Sequence, residues 1–470
     1  MREFIKNISI YGLLPVLGKF LGFFLIPIYA RVFSTNDFGV MELVTSLISF
    51  LIFACNLEMY SSIGRYFYEK NTLEERRKLI STGFILTIIT TIAVSFSILF
   101  SENFIYEKYF ESYDYKNIFR VAIIWLALSA LSTYLSIIPR YEKKVVLYVV
   151  VNFTALLIRL VSTIVFVLWL KVGIIGIVYG HICGDFTSLI LNAIISKKYL
   201  GFAFKKEYVP LILKFALPLV PGLLLIGLWE PVSRNLITMF FSVSVVGLFA
   251  FANRFTSINS IFSGALRNAW QPMLFENIND LSFSTQIKKI GGLSVFVTLG
   301  IGTTITLLAP ELCLILGTET YQDSDIFVGF LSLSGALSVL SQIRGFGPLV
   351  YNKTYINSII NIICFLFGVF LFYIIRDRLG LVGLGFILLT YQLVSYLLLT
   401  EYTRIKSKIK FYNRWEIGFL FFIVLAEILV VIDASLGVRL LTFTVFGGFL
   451  IYVFRELGGI SFIKKVIFKR

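Results

Sequence analysis

Histidine, cysteine and charge are all scarce in this sequence of 470 residues, which holds one histidine, four cysteines and 15% charged side chains. His181 has no second histidine and no cysteine at ligand spacing, so neither a metal nor a cofactor is expected. Cys55, Cys183, Cys313 and Cys364 lie far apart, each inside an apolar run. That is neither a disulfide framework nor a metal spacing, and the four read as small packing residues. Catalytic signatures are missing too. There is no His-Glu-x-x-His, no Gly-x-Ser-x-Gly and no phosphate-cradling Walker loop. No link between apolar runs is long enough to fold as a soluble catalytic domain, so an enzyme is not expected.

What the sequence has in quantity is apolar surface: 58% of residues are apolar and 16% aromatic, with a mean hydropathy of +0.88. The apolar residues fall in blocks of about twenty, the length a helix needs to cross the hydrocarbon of a bilayer. The blocks are 8–30, 40–64, 80–100, 117–138, 146–169, 174–196, 209–229, 243–267, 291–315, 326–347, 356–375, 381–402, 416–433 and 437–454. The expected fold is therefore an all-α polytopic membrane protein of about fourteen transmembrane helices. The first block exceeds a signal-peptide core and contains Pro15, Lys19 and Pro27, so it reads as a span. Twelve spans would preserve the same parity if 416–454 were re-entrant or peripheral.

The formal charge of +15 comes from lysines and arginines gathered in alternate links. Under this span assignment 27 of them fall on one side of the membrane and eight on the other, the latter including Arg234 and Arg439. Positive charge is retained on the cytoplasmic side, so both termini are expected there, and no nucleic-acid partner is needed to explain the charge. The expected localisation is a bacterial inner membrane.

The chain also repeats at an offset of about 208 residues. Pro139-Arg140-Tyr141-Glu142-Lys143 has a counterpart in Pro348-Leu349-Val350-Tyr351-Asn352-Lys353. Asn152 corresponds to Asn361, the pair Gly173 and Gly176 to Gly380 and Gly383, and Gly39 to Gly247. Six spans per repeat give both halves the same orientation, a parallel repeat about an axis along the membrane normal. The expected domains are an N-terminal lobe at 1–208, a C-terminal lobe at 209–415, and a helix pair with a basic tail at 416–470. Pro15 and Pro27 in the leading helix of one lobe, and Pro218, Pro221 and Pro231 in that of the other, suggest helices that bend.

Charged side chains inside spans carry the chemistry, because each is costly at mid-bilayer unless paired or wetted. Arg120, Lys214, Arg267 and Arg344 lie within about a turn of a span end and can reach the interface. Lys19, Arg159 and Arg254 lie deeper, with Asp185 and Glu427 as mid-membrane acids and Glu58 nearer the cytoplasmic face. Arg159 and Asp185 sit at matching depth on adjacent spans; a structural ion pair and a proton or sodium switch at Asp185 both fit. Lys19 and Arg254 have no acid at their depth. Across a central cavity between lobes they would attract an anion such as phosphate or pyrophosphate. Arg65 and Arg267 would extend that positive path towards the cytoplasmic mouth. Glu427 has no assigned role. Aromatics such as Tyr66, Phe67, Tyr106 and Tyr199 fit an interfacial belt as well as they fit sugar stacking.

Four motifs together resemble the Wzx-type O-antigen and polysaccharide flippases of the multidrug/oligosaccharidyl-lipid/polysaccharide (MOP) exporter superfamily. They are Pro27-Ile-Tyr-Ala-Arg31-Val-Phe-Ser-Thr-Asn-Asp37-Phe-Gly39, Arg65-Tyr-Phe-Tyr-Glu69, Leu213-Lys-Phe-Ala-Leu-Pro218 and Val246-Gly247-Leu-Phe-Ala-Phe-Ala-Asn253-Arg254-Phe. The resemblance implies flipping of an undecaprenyl-diphosphate-linked oligosaccharide from the cytoplasmic to the periplasmic leaflet. It also implies alternating access, a cation-lined cavity, membrane lipid as surroundings, and coupling to H+ or Na+ rather than ATP. It places Arg31, Asp37, Arg65 and Arg254 at family positions; Asp37, together with the in-span acids Glu58 and Asp185, is a candidate for ion coupling. Other membrane proteins of polysaccharide assembly are the expected protein partners. A lipid II flippase and a multidrug-type antiporter of the same superfamily are the alternatives. A purely structural membrane protein would not explain mid-span cations in a two-fold repeat.

Overall fold

The structure, a computed structural model, describes residues 25, 27–101, 116–142, 144–201, 203–217, 220–256, 283–351, 353, 355–375, 380–409, 411 and 414–457. The described residues are predominantly helical, without strands. The principal helices are α1 (Thr35–Asn56), α2 (Met59–Glu69), α3 (Leu73–Phe100), α4 (Lys116–Ser136), α5 (Val145–Ile164), α6 (Ile175–Ile195), α7 (Tyr208–Ala216) and α8 (Val220–Phe240). They continue as α9 (Val243–Thr256), α10 (Phe283–Leu307), α11 (Ala309–Leu316), α12 (Asp325–Arg344), α13 (Tyr355–Ile375), α14 (Gly380–Ser407), α15 (Glu416–Val431) and α16 (Leu436–Glu456). Among the described residues, ten helical stretches are long and apolar enough to cross a membrane. The expected span at 8–30 lies almost wholly outside the described residues, and that at 243–267 is described to Thr256.

Three expected spans differ in form. The block at 40–64 is not one helix: Leu57 and Glu58 take left-handed φ values of 45° and 54° and separate α1 from α2. In a bilayer the carbonyls and donors freed by such a break need internal partners. Asn56 Nδ2 donates to the Ile52 and Ala130 carbonyls, and Thr90 Oγ1 donates to the Cys55 carbonyl at 2.5 Å. The block at 209–229 is likewise two helices, α7 and α8, the second reaching Phe240 with Pro231 inside it. The block at 416–433 is a 16-residue helix, about 24 Å long at the α-helical rise.

The chain divides into two compact units, Asn36–Gly247 and Gly22–Thr35 with Leu248–Arg470, the division falling within α9. In the first, α6 packs on α5 and α4, α4 on α3, and α7 on α2. The close α5–α6 contact depends on small residues at every fourth position. A Cβ on Gly180 would lie 1.9 Å from Thr163 Oγ1, and one on Gly184 would lie 2.7 Å from Arg159 Cβ. In the second unit, α12 is surrounded by α10, α14 and α15, with α13 on α14.

The repeat read from glycines and prolines has a backbone counterpart. One-turn helices Ile138–Tyr141 and Gly347–Val350 follow α4 and α12, each with proline in its opening turn. Each closes identically: Lys144 N donates to Pro139 O and Lys353 N to Pro348 O, both at 2.8 Å. Gly173 and Gly380, just before α6 and at the start of α14, share a left-handed backbone with φ of 75° and 52°. Thus α4, α5 and α6 correspond to α12, α13 and α14.

The helix pair α15–α16 is fastened to the second unit by ion pairs near both ends of α15. Arg344 donates to both Glu416 oxygens at 2.7 and 2.8 Å and to Tyr396 Oη at 2.9 Å. Arg439 donates to Glu311 at 2.6 and 2.8 Å and to the Leu307 and Ala434 carbonyls. Arg344 is 1% exposed, so it does not reach an interface as its place near a span end had suggested; a carboxylate one helix away was the nearer partner. Arg439 and Arg234, counted above as link residues, are also buried. Arg234 pairs with Glu42 at 3.1 Å and Glu230 at 3.3 Å.

Candidate functional site: a polar cavity in the first unit

On α4, Ser129, Ser132, Thr133 and Ser136 recur at steps of three, one and three residues, which places all four on one helix face. A hydroxyl face on an otherwise apolar helix has to meet polar neighbours, and here it lines a cavity of about 360 Å³. Asn152 and Arg159 from α5 and Asp185 and Ser188 from α6 complete the polar wall. Ser132 and Ser136 donate within their own helix, to the Ser129 and Thr133 carbonyls, and Asn152 Nδ2 donates to Tyr148 O. Their oxygens remain available as acceptors.

The cavity holds one ion pair. Arg159 Nη2 donates to Asp185 Oδ1 at 2.5 Å, and Trp125 Nε1 donates to Asp185 Oδ2 at 2.9 Å. Trp125 in turn stacks on His181 with ring centroids 4.2 Å apart, which fixes the indole that holds Asp185. The two carboxylate oxygens are thus held from two helices while Asp185 itself is 6% exposed. Arg159 is different: its side chain is 33% exposed and its Nε has no hydrogen-bond partner. A guanidinium tethered at one nitrogen, facing a cavity of hydroxyls, can take a second anion or a sugar hydroxyl without leaving its first partner.

The structure brings Arg159 and Asp185 together in this cavity. Glu58 is buried at the α1–α2 break, where it accepts from the Tyr60 hydroxyl; Tyr141 Oη donates to the Tyr60 carbonyl at 2.8 Å. Asp37 is half-buried in the first turn of α1, and Arg31 is exposed at the end of the helical residues 27–32. Neither of these nor Glu58 lines the cavity. Arg254 is half-buried near the end of α9, and Arg65 lies on α2. Lys19 and Arg267 lie outside the described residues. Trp125 and the α4 hydroxyls were not identified from the sequence, although the hydroxyl spacing is written there at helical period. Among the described residues no group of three or more His, Cys, Asp or Glu could hold a metal ion.

A family model described as polysaccharide biosynthesis protein matches residues 28–325, more than half of the chain. No curated protein sequence matches it. Among solved structures, an inward-facing multidrug-resistance MATE transporter of the MOP superfamily superposes with a TM-score of 0.71 at 15% identity. The match covers 83% of this chain and 94% of that one. The lipid II flippase MurJ, in an inward closed conformation, gives 0.68 at 14% identity over 97% and 99% of the two chains. A MOP-superfamily transporter from Pyrococcus furiosus, described by a binding pocket of reversed polarity, gives 0.56 at 15% identity over 86% and 96%. At such identities the likeness is one of fold. With the family match over most of the first unit and the beginning of the second, the chain belongs to the polysaccharide biosynthesis protein family and carries the fold of the MOP transporters.

Proposed function

We propose that this protein is a flippase that moves a polyprenyl-diphosphate-linked oligosaccharide, the repeat unit of a surface polysaccharide, from the cytoplasmic to the periplasmic leaflet. The observation that carries the reading is membership of a polysaccharide biosynthesis family on a fold shared with MurJ, whose own name states lipid II flipping. The cavity chemistry agrees with it. Hydroxyls and a partly exposed guanidinium suit a sugar and an anion better than the cationic drugs of a multidrug antiporter, which would call for unpaired acids. Lys19 and Arg254 are assigned to the diphosphate, with Arg65, Arg267 and Arg31 along its path; Asp185, Glu58 and Asp37 are assigned to ion coupling. The cytoplasmic side is the side that holds the excess of lysine and arginine links. Replacing Lys19 and Arg254 together by alanine is expected to stop polysaccharide export and accumulate lipid-linked glycan in cells. Export at the wild-type level by that double variant would refute the assignment of the two cations.

A further inference from the structure

Glu427 stands apart from Glu416 and Glu311, the two acids of the second unit that hold buried arginines. Glu416 is held by Arg344 and Glu311 by Arg439, whereas neither carboxyl oxygen of Glu427 has a hydrogen-bond partner among the described residues. The side chain is 8% exposed. It lies on α15, eleven residues beyond Glu416 and four before the helix ends at Val431, about 6 Å along the axis, with Asp433 just after that end.

Its surroundings are built around it. An apolar cavity of about 240 Å³, walled by Phe330, Leu333, Val382, Leu389 and Ile423, has Glu427 as its one charged lining residue. On α12 the place facing the carboxyl is Gly329, where a Cβ would stand 1.9 Å from Glu427 Oε2. The glycine leaves the space that the carboxyl fills and brings its own backbone close to it. The charged neighbours do not neutralise it. Along α12 and the turn before it come Asp325 and Asp323, and Asp433 follows α15. Arg439 on α16 is already paired with Glu311 of α11. From α10 comes Thr306, whose hydroxyl donates to the Gly302 carbonyl at 2.8 Å, and α14 presents Val382 and Leu389.

An ionised carboxylate in such a place, without a paired cation and with acids nearby, is costly. A proton removes that cost more simply than a conformational change. We infer that Glu427, seated against Gly329 in this apolar pocket, is a proton-binding site: protonated while α15 lies on α12, and able to release the proton only when that contact opens to water. Under the proposed topology the nearby Asp433 end of α15 faces the periplasm, the side from which an inward proton gradient delivers protons. The coupling half of this inference rests on the flippase reading; the existence of the site does not.

Infrared spectroscopy of the full-length protein in lipid nanodiscs at neutral pH tests the site directly. The wild type should show the carbonyl stretch of a protonated carboxylic acid in apolar surroundings. Glu427→Gln, a neutral isostere that should fold and melt as well as the wild type, should lack that band. Gly329→Ala should displace the carboxyl and shift or abolish it. Identical wild-type and Glu427→Gln spectra in this region would overturn the proton site. Translocation of lipid-linked glycan in proteoliposomes under an imposed pH gradient tests the coupling. Stimulation by the gradient should be present in the wild type and lost in Glu427→Gln. Equal stimulation in both would overturn the coupling role while leaving the site. A band with no glycan translocation by the wild type would overturn the flippase reading instead.

Discussion

Replacing Asp185 by asparagine removes one charge from the cavity while retaining an acceptor for Trp125. Arg159 then keeps its charge without a counter-ion. Breaking a fully buried pair in this way costs about 3–5 kcal/mol, and an exposed pair contributes about 0–1 kcal/mol. Asp185 is buried but the Arg159 side chain is 33% exposed, which places the expected loss between those limits, at about 2 kcal/mol. Thermal melting of detergent-solubilised protein should therefore show Asp185→Asn clearly below the wild type. The apolar double variant Arg159→Met/Asp185→Leu should recover most of that loss, because well-packed apolar residues of similar volume replace buried pairs at little cost. Translocation should behave differently. If the guanidinium serves the substrate cavity, the double variant regains stability and stays inactive. Full recovery of both properties would make the pair purely structural. Asp185→Asn melting at the wild-type temperature would refute the energetic reasoning itself.

Glu416→Ala leaves Arg344 buried without its carboxylate and should destabilise by about 3–5 kcal/mol, seen as early loss of monodisperse protein on heating. Arg344→Met/Glu416→Leu should restore it. Gly180→Ala sets a methyl 1.9 Å from Thr163 Oγ1, so it should part α5 from α6 and cost about 1–3 kcal/mol by overpacking; adding Thr163→Ala should relieve it. At the membrane surface, burial raises the Glu142 pKa, but hydrogen bonds from Lys198, Lys144 and Tyr199 outweigh burial and hold it below the usual 4.5. A depressed folded-state value means stability present above 4.5 and lost as the pH falls through the folded-state value. Melting profiles should show the wild type losing more stability below pH 4.5 than Glu142→Gln.

Ten spanning helices were legible because a bilayer leaves a helix no choice but a long apolar run, and the repeat because glycine and proline mark backbone positions that other residues fill poorly. Gly173 and Gly380 carry the same left-handed turn, and Pro139 and Pro348 open the same one-turn helix. Depth counting along two adjacent helices brought Arg159 and Asp185 together on paper before geometry did. The break at Leu57–Glu58 was hidden because it uses neither glycine nor proline; it is held by Asn56 and Thr90, whose side chains satisfy the interrupted backbone. The partners of Arg344 and Arg439 were hidden because both pairings, with Glu416 and Glu311, cross long sequence separations between the second unit's helices and the C-terminal helix pair. The hydroxyls of α4 were visible at helical spacing, but serine and threonine are ordinary in membrane helices, and Arg159 and Asp185 alone drew attention to that face.

The account stands most directly on translocation by the purified protein. Proteoliposomes carrying a fluorescent polyprenyl-diphosphate-linked oligosaccharide can report, through an enzyme added outside that modifies only the exposed glycan, how much substrate crosses the bilayer. The account predicts crossing that depends on the protein, is stimulated by a pH gradient, and fails with Lys19→Ala/Arg254→Ala. Crossing no faster than in protein-free liposomes would contradict it.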